Sequence, residues 1–151
     1  MIDLHLLFVS MTTESRFTAI VRKKPSLPSK FLFDSGMVIG KCLDYGCGRG
    51  FDKDFYGIDG YDPYWFPNIP KTKFDTIICN FVLNVVEKKE QEDIIKKVRN
   101  LLNKNGRAFF TVRRDIKNSY RVKNYVQRLV ILDYPSIYKK SRAFEIYRMD
   151  M

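Results

Sequence analysis

The chain has 151 residues, of which 45% are hydrophobic and 15% aromatic, so it is long enough for one hydrophobic core and too short for two. Its three cysteines lack CxxC spacing and it has one histidine, which argues against a disulfide framework or a metal site and indicates a reducing compartment, the cytoplasm. A formal net charge of +10 favours a polyanionic partner, nucleic acid first, although a well-solvated surface alone would also account for it.

Residues 1–40 are predicted to form a basic N-terminal arm and a short helix, ahead of a single domain over residues 41–151. The opening "MIDLHLLFVSM" lacks the basic region and cleavage site of a signal peptide, so it is either a packed strand or lies upstream of a start at Met11 instead of Met1. Gly36 is placed to end the short helix. No stretch reaches the roughly 18 uncharged apolar residues of a membrane span, so no membrane partner is expected.

Short apolar segments and one helical pattern follow the arm. "KCLDY" and "GIDGYD" each predict a short buried strand, and the apolar, β-branched run that begins at Phe74 predicts a central parallel strand. Apolar residues at helical spacing predict a helix from Glu87 to Gly106. "RAFFTVRR" then predicts a further strand, and "RLVILDY" and "AFEIYRM" predict a C-terminal pair. Strands that alternate with helices indicate an α/β fold with a mostly parallel sheet.

The turn after the first strand has the spacing Asp44-x-Gly46-x-Gly48-x-Gly50. A dinucleotide site of the GxGxxG type needs glycine at position 51, where the chain has Phe51, and no GK[ST] follows, so neither a dinucleotide nor a P-loop nucleotide is expected. An acid followed by GxGxG suits an adenosyl ligand with a charged amino-acid end and no phosphate. Bare backbone lets the ligand approach closely, Asp44 can attract its ammonium group, and Asp62 can accept hydrogen bonds from both ribose hydroxyls.

This stretch resembles motif I and the following acidic motif of class I S-adenosylmethionine-dependent methyltransferases. The residues and the resemblance together imply S-adenosyl-L-methionine (SAM) as cofactor. The implied cofactor-binding residues are Asp44, Gly46, Cys47, Gly48, Gly50, Asp62, Pro63, Tyr64, Asn80 and Phe81. "TAIVRKKPSLP", "LDYGCGRG", "GYDPYW", "FVLNVVE" and "FEIYRM" are similar to the small methyltransferase-like proteins associated with DNA phosphorothioation. That second resemblance implies the same pocket and only hints at the substrate.

A full methyltransferase sheet has seven strands, but only a short proline-rich interval separates Asp62 from Thr76 here. A helix, a strand and a second helix cannot fit in that interval. We therefore predict a trimmed Rossmann-like methyltransferase fold, with a mostly parallel central sheet, no third strand and a C-terminal antiparallel strand pair. "PYWFPNIP" is expected either to fold over the ligand, with Tyr64, Trp65 or Phe66 near the adenine, or to cap an exposed sheet edge.

The residues after the Phe74 strand do not match the acceptor motifs of DNA methyltransferases. "NFVL", from Asn80, stands where amino-directed enzymes have [DNS]PP[YF], and no Pro-Cys supplies a cytosine-C5 nucleophile. Asn80 is the candidate catalytic residue, able to contact the methionine part of the cofactor or the acceptor. Asn84 is expected to begin the following turn or helix. The sequence identifies no general base.

Basic side chains near both ends of the chain are the candidates for nucleic-acid contact. They are Arg22, Lys23, Lys24, Arg113, Arg114, Lys117, Arg121 and Lys123. Cations that meet phosphates and interleaved tyrosines that stack on bases fit a nucleic acid, while a solvated loop is the competing account. The leading hypothesis is a SAM-dependent methyltransferase acting on nucleic acid, DNA before RNA. The alternatives are a catalytically silent SAM-fold module that binds DNA or a protein, and an enzyme for small molecules or proteins. Monomer and homodimer both remain open.

Overall fold

The computed structural model of the chain describes residues 16–122 and 125–151, and its centre is a six-stranded sheet. The eight strands are β1 Cys42–Tyr45, β2 Asp59–Tyr61, β3 Phe74–Asn80, β4 Leu102–Arg113, β5 Tyr120–Val122, β6 Tyr125–Gln127, β7 Ser136–Lys140 and β8 Phe144–Asp150. The central sheet has the order β2-β1-β3-β4-β8-β7, while β5 and β6 form a separate hairpin. Met1, Met11 and Lys123, on which sequence-based predictions were made, lie outside the described residues.

Three α-helices accompany the sheet in the described part of the chain. They are α1 Leu27–Asp34, α2 Phe51–Tyr56 and α3 Lys88–Asn100, with shorter 3₁₀ turns at Arg16–Thr18 and Leu83–Val85. None of the helices among these residues has the length and apolarity to span a membrane.

The first four strands of the sheet run parallel, as predicted. β1 pairs in parallel with β2 on one side and β3 on the other, and β3 pairs in parallel with β4. Leu43, Ile77 and Ala108 lie across neighbouring strands and are fully buried, which explains why the centres of these strands are apolar. β8 is antiparallel to both β4 and β7, so the predicted C-terminal antiparallel pair is confirmed.

The predicted absence of the third strand is also confirmed. Between β2 and β3, all of which is described, the chain forms only an isolated antiparallel bridge between Asp62 and Phe66. β2 therefore stands at the edge of the sheet. The six-residue α2 is correspondingly short, because only a few residues separate the glycine turn from β2.

Helix α1 packs on one face of the sheet. Its N-cap is Ser26, and it ends where Gly36, at φ 72°, lets the Met37 N–H donate to the Leu32 carbonyl at 3.1 Å. The predicted stop at Gly36 is confirmed. Leu32 is fully buried and belongs to a core cluster with Cys42, Ile78, Phe109, Phe144 and Ile146. The helix therefore shares the hydrophobic core with β1, β3, β4 and β8.

The predicted end of the helix that begins near Glu87 was wrong. Helix α3 stops at Asn100 instead of continuing to Gly106. Leu102 is fully buried and pairs with Phe74 of β3, whose N–H donates to the Leu101 carbonyl at 2.8 Å. The chain leaves the helix early because this pairing with β3 draws it into the sheet.

The prediction of a strand at "RLVILDY", 128–134, was also wrong. A three-residue turn, in which the Ala143 N–H donates to the Lys140 carbonyl at 2.8 Å, joins β7 directly to β8. The residues immediately before that turn therefore form β7, the partner of β8. They lie in the segment that was predicted to connect the two strands. Val130 is buried in the main core instead, and its carbonyl accepts a hydrogen bond from Arg114 at 2.7 Å.

Candidate functional site

A cavity of about 340 Å³ lies at the carboxyl ends of β1, β2 and β3. Small-molecule sites in proteins are typically about 300–1,000 Å³, so its size suits a ligand. Nine of the ten predicted cofactor-binding residues line it, namely Asp44, Gly46, Cys47, Gly48, Gly50, Asp62, Pro63, Asn80 and Phe81. The carboxyl ends of neighbouring parallel strands meet at one sheet edge, which brings together residues that are distant in sequence.

The glycine turn has backbone geometry that side chains oppose. Gly46 has φ 78°, and a Cβ at this position would lie 2.3 Å from Cγ2 of Val82. The N–H groups of Gly46 and Cys47 both donate to the Tyr61 carbonyl, at 2.7 and 3.0 Å. The last residue of β2 thus fixes the turn that follows β1, and the turn keeps its backbone bare toward the cavity.

Asp44 is the buried acid at the end of β1, with a side chain 5% exposed. Burial raises its pKa to about 8, and the neighbouring carboxylates of Asp52 and Asp62 act in the same direction, while Arg22 and Lys53 partly offset them. The ionised form of Asp44 is therefore costly in the free protein. A cation bound in the cavity would stabilise that form.

Asp62 both lines the cavity and organises its rim. Its Oδ2 accepts a hydrogen bond from the Gly48 N–H at 3.0 Å, and its Oδ1 accepts from the N–H groups of Tyr64 and Trp65 at 2.9 and 3.0 Å. A carboxylate has about four acceptor positions, so Oδ1 is filled and Oδ2 keeps one position for a ligand. The expectation that both oxygens are available to a ribose is corrected accordingly.

The aromatic residues after Asp62 do not cover the cavity. Tyr64 is 43% exposed and, unlike the other nine predicted cofactor-binding residues, does not line the cavity, so its role as a cofactor contact stays a prediction without support from this geometry. Trp65 lies under the Arg49 guanidinium at 4.5 Å, and Phe66 under the Lys53 ammonium at 4.4 Å. The Asp62 hydrogen bonds to the loop backbone turn these rings away, and Pro63, Pro67 and Ile69 line the cavity instead.

Several cavity residues were missed by the sequence analysis. They come from the N-terminal arm, from α2, and from the region of α3, and include Thr18, Ala19, Ile20, Ser26, Asp52, Val85, Glu90, Asp93, Ile94 and Lys97. Arg22, predicted as a nucleic-acid contact, also lines the cavity. No local motif marks these positions, because only the packing of the arm and of α3 brings them to the sheet edge. The one usable signal was an acid, Asp52, in the first turn of α2.

The two asparagines after β3 have different surroundings. Asn80 lines the cavity, and its Nδ2 donates to Ser29 Oγ at 2.8 Å, while its buried Oδ1 has no hydrogen-bond partner among the described residues. Asn84 is 1% exposed, and its Nδ2 donates to Gln127 Oε1 at 3.0 Å. Asn84 lies within the 3₁₀ turn Leu83–Val85, so the predicted place in a turn fits, whereas the N-cap of α3 is Glu87 and the predicted role at the helix entry was wrong.

Arg114, predicted as a nucleic-acid contact, is engaged instead in a buried network within the protein. Its guanidinium forms a buried ion pair with Glu145 at 2.7 Å and donates to Tyr147 Oη at 2.6 Å. Burial opposes the charge on Glu145, yet hydrogen bonds from Ser136, Arg114 and Tyr147 hold its pKa below the usual value. This network joins β4 to β8 and β7.

The other basic candidates differ in whether they pair with an acidic side chain or are exposed to solvent. Arg113 pairs with Asp115 at 2.5 Å, and Arg121 pairs with Glu87 at 2.8 Å. Lys23, Lys24 and Lys117 are exposed to solvent. The predicted basic surface is therefore interrupted by acidic partners after β4 and stays open at Lys23 and Lys24, next to the cavity-lining Arg22.

Residues 16–136 match a family model described as a methyltransferase domain. The chain is similar in structure to a 1,6-didemethyltoxoflavin N1-methyltransferase of Burkholderia thailandensis, with a TM-score of 0.60, 14% identity and coverage of 97% of this chain and 86% of that one. It is also similar to a magnesium protoporphyrin IX methyltransferase of Synechocystis PCC 6803, with a TM-score of 0.54, 14% identity and coverage of 99% and 98%.

An N-methyltransferase of Bradyrhizobium japonicum WM9, in complex with S-adenosylhomocysteine (SAH), has a TM-score of 0.55, 12% identity and coverage of 93% of this chain and 98% of that one. No curated protein is significantly similar to the chain. At such identities the solved structures establish the fold, and the family match, which spans most of the chain, establishes the family. The chain belongs to the methyltransferase-domain family.

Proposed function

We propose that the chain transfers the methyl group of SAM to an acceptor at the open side of the cavity. The convergence of Asp44, Asp62 and the left-handed glycine turn on one cavity of ligand size carries this proposal. The residues fit the cofactor: a bare turn accommodates its close approach, a buried acid meets its ammonium group, and Oδ2 of Asp62 has one acceptor position for its ribose.

The two charged groups at the amino-acid end of the cofactor have matching partners in the cavity. Asp44 would hold the ammonium group, and its own ionised form would be stabilised in return. Arg22 would hold the carboxylate, as a guanidinium can donate two parallel hydrogen bonds to it. Apolar side chains of the same cavity, Ile69, Val82 and Val85, are suited to the flat adenine.

Catalysis by this chain rests mainly on positioning. The bound cofactor supplies an electrophilic methyl group on a sulfonium, and an acceptor atom must approach it in line. Asn80, at the end of β3, has a side-chain oxygen without a partner and is the candidate contact for the acceptor. Acceptors that already have an available lone pair need no general base.

Nucleic acid is the proposed acceptor, with DNA favoured. The net charge of +10 and the exposed Lys23 and Lys24 beside cavity-lining Arg22 support a polyanionic substrate. Lys117 offers a further exposed cation after β4. The resemblance to proteins associated with DNA phosphorothioation favours DNA over RNA.

A small-molecule acceptor is the second candidate, because the cavity extends along α3. Glu90 is half-buried there, and its burial raises its pKa, while Asp93 and Ile94 line the same wall. Lys97 lines the same wall and partly offsets the two acids, and the remaining net negative charge disfavours phosphates and suits an amine or another cationic group. The structurally similar enzymes of Burkholderia thailandensis and Synechocystis PCC 6803 act on 1,6-didemethyltoxoflavin and magnesium protoporphyrin IX, which are small molecules.

Incorporation of tritiated methyl groups separates these candidates. The purified chain is incubated with tritium-labelled SAM and DNA, RNA, protein or small-molecule extracts, with Asp62→Ala as the control. Label in DNA that depends on Asp62 is the expected result. Label confined to the small-molecule extract would replace DNA by the second candidate. SAM binding without label in any pool would contradict methyl transfer and favour a silent binding module.

A further inference from the structure

A chain of four buried or half-buried polar side chains connects α1, α2 and the end of β3. Asp52 Oδ2 accepts hydrogen bonds from Ser26 Oγ at 2.5 Å and from Ser29 Oγ at 2.8 Å, and Asp52 Oδ1 accepts from the Ser26 N–H at 2.9 Å. Ser29 Oγ in turn accepts from Asn80 Nδ2 at 2.8 Å. Ser26, Ser29 and Asp52 are 2%, 1% and 8% exposed, so solvent does not compete for these bonds.

The direction of each hydrogen bond among these four side chains follows from their chemistry. An ionised carboxylate only accepts, so the single hydroxyl proton of Ser29 is committed to Asp52. Ser29 Oγ can then only accept from its other neighbour, which selects the amide nitrogen of Asn80. The amide oxygen of Asn80 is thereby left over, and it has no partner among the described residues.

We propose that Asp52, acting through Ser29, is a positioning residue that fixes the amide of Asn80 with Oδ1 as the acceptor offered to the reacting group in the cavity. The inference rests on the proposed function, since it assigns Asn80 to the acceptor side of the SAM site. Asp52 also lines the cavity, whereas Ser29 does not, and in this account both act on the methyl acceptor only through Asn80.

An amide held in this orientation selects the class of methyl acceptor. Oδ1 can accept a hydrogen bond but cannot donate one. The matching acceptor group therefore carries an N–H or O–H at the nucleophilic atom, as an exocyclic amine, an amide or a hydroxyl does. A thioether or a tertiary amine offers no such proton and gains nothing from Asn80.

A pair of cofactor analogues tests the orientation without a known substrate. SAH lacks the transferable methyl, whereas sinefungin carries an amine at that position and so presents N–H donors where the acceptor would lie. Calorimetry measures both affinities for the wild type, Asp52→Asn, Ser29→Ala and the control Ser35→Ala. Ser35 is on the same segment, and its hydroxyl donates only to carbonyls of α1.

Asp52→Asn is isosteric and reverses the donor and acceptor roles in the hydrogen bonds that lead from residue 52 through Ser29 to Asn80. The Ser26 N–H keeps the oxygen of the new amide at the Oδ1 position, so the new amide nitrogen takes the Oδ2 position and donates to Ser29 Oγ. The Ser29 hydroxyl proton is then donated to Asn80, and the Asn80 amide flips to accept it. Sinefungin then meets a donor, so its affinity relative to that of SAH should fall about tenfold or more. The loss of the Asp52 charge beside Asp44 acts on the amino-acid end that the two ligands share and therefore changes both affinities alike. Ser29→Ala, which frees the amide to rotate, should give a smaller loss, and Ser35→Ala none.

The outcomes distinguish this inference from the proposed function. A selective loss of sinefungin affinity in Asp52→Asn and Ser29→Ala supports the positioning role. An unchanged ratio of the two affinities in both variants overturns it, and so does an equal loss for both ligands, which would indicate a merely structural role. If the folded wild type binds neither analogue, the proposed function itself fails.

Discussion

The glycine turn after β1 and the basic segment after β4 differ in how strongly their sequence determines their role. At the turn, Gly46 and Gly50 have φ of 78° and 86°, and Asp44 and Asp62 stand at strand ends. These are local requirements of the backbone, and the predicted residues line one cavity. After β4, similar-looking arginines have unrelated roles, since Arg114 is buried against Glu145 while Arg113 and Arg121 form more exposed pairs.

The difference shows which kind of residue can be assigned from one sequence. The role of a glycine that adopts a positive φ can be predicted from the sequence, because other residues rarely adopt that conformation. A basic side chain can lie in solvent, on a phosphate or in a buried network, and only its tertiary partner decides. The following experiments test whether the two regions are as different as the structure makes them.

Arg114→Leu should give the largest effect, on stability. Removing the cation leaves Glu145 buried without its charge partner, which costs about 3–5 kcal/mol in the free energy of unfolding. Urea denaturation measures the loss. Arg113→Leu, which breaks a half-exposed pair with Asp115, should cost less than about 1 kcal/mol. If Arg114→Leu were as stable as the wild type and bound DNA more weakly, the result would contradict the structural role and assign Arg114 to the DNA-binding surface.

Gly46→Ala should be the next most damaging change, in the turn. The left-handed backbone costs an alanine about 1–2 kcal/mol, and the overlap with Val82 adds about 1–3 kcal/mol. Gly57→Ala is a matched control, with φ 63° and open space where its Cβ would lie. It should show only the backbone cost, and SAH affinity should fall for Gly46→Ala alone. Equal losses of stability in both variants would remove the proposed close packing at the turn.

The pH dependence of SAH binding should follow Asp44. Its folded pKa is raised from 3.8 to about 8, so between these values the free protein holds a proton that the ligand ammonium would displace. Affinity should therefore rise with pH up to about 8, by at most about tenfold per unit, and then level off. Calorimetry across this range with Asp44→Asn, which should show a flat profile, checks the sign. Affinity that falls as pH rises toward 8 would contradict the role of Asp44.

The same raised pKa affects the free protein. Because the folded state keeps the Asp44 proton up to about pH 8 and the unfolded state loses it near 3.8, this group makes the protein less stable as pH rises between those values. Asp44→Asn removes the titration, so its stability relative to the wild type should increase with pH in this window. Urea denaturation at several pH values measures the difference.

Removal of exposed lysines should give the smallest effect, on DNA affinity. In Lys23→Ala/Lys24→Ala the slope of log affinity against log salt should fall by about two, since each phosphate contact contributes about one. Lys139→Ala/Lys140→Ala removes the same charge from exposed positions of β7 and serves as the control. Equal slopes for the two double variants would show that binding depends on net charge and not on the surface beside Arg22.

The sheet and the glycine turn could be predicted because their determinants are local. β1 and β3 are short segments with apolar centres, and the proline-rich interval after Asp62 is too short for a helix, a third strand and a second helix. The strand at 128–134 was wrong because an apolar run does not reveal whether a partner strand is available, and the turn before β8 gave that place to β7. The position of Tyr64 outside the cavity wall has a similar reason, since the hydrogen bonds of Asp62 turn its loop outward.

The connection between Asp52, Ser29 and Asn80 was not predictable from spacing. Ser29 lies 23 residues from Asp52 and 51 from Asn80 in the chain, and the three meet only because α1 packs over the end of β3. Sequence separation of that order carries no periodic signal. The serines at 26 and 29 instead fit a capping turn at the start of α1, which Ser26 also provides.

Calorimetric titration of SAH into the wild-type chain at pH 8.5, beside Asp62→Ala, tests the central claim most directly. If the cavity behind the glycine turn is the cofactor site, the wild type binds SAH at one saturable site and Asp62→Ala binds it about tenfold weaker or worse. A folded wild type that releases no heat beyond dilution, or an Asp62→Ala variant with undiminished affinity, would contradict the account.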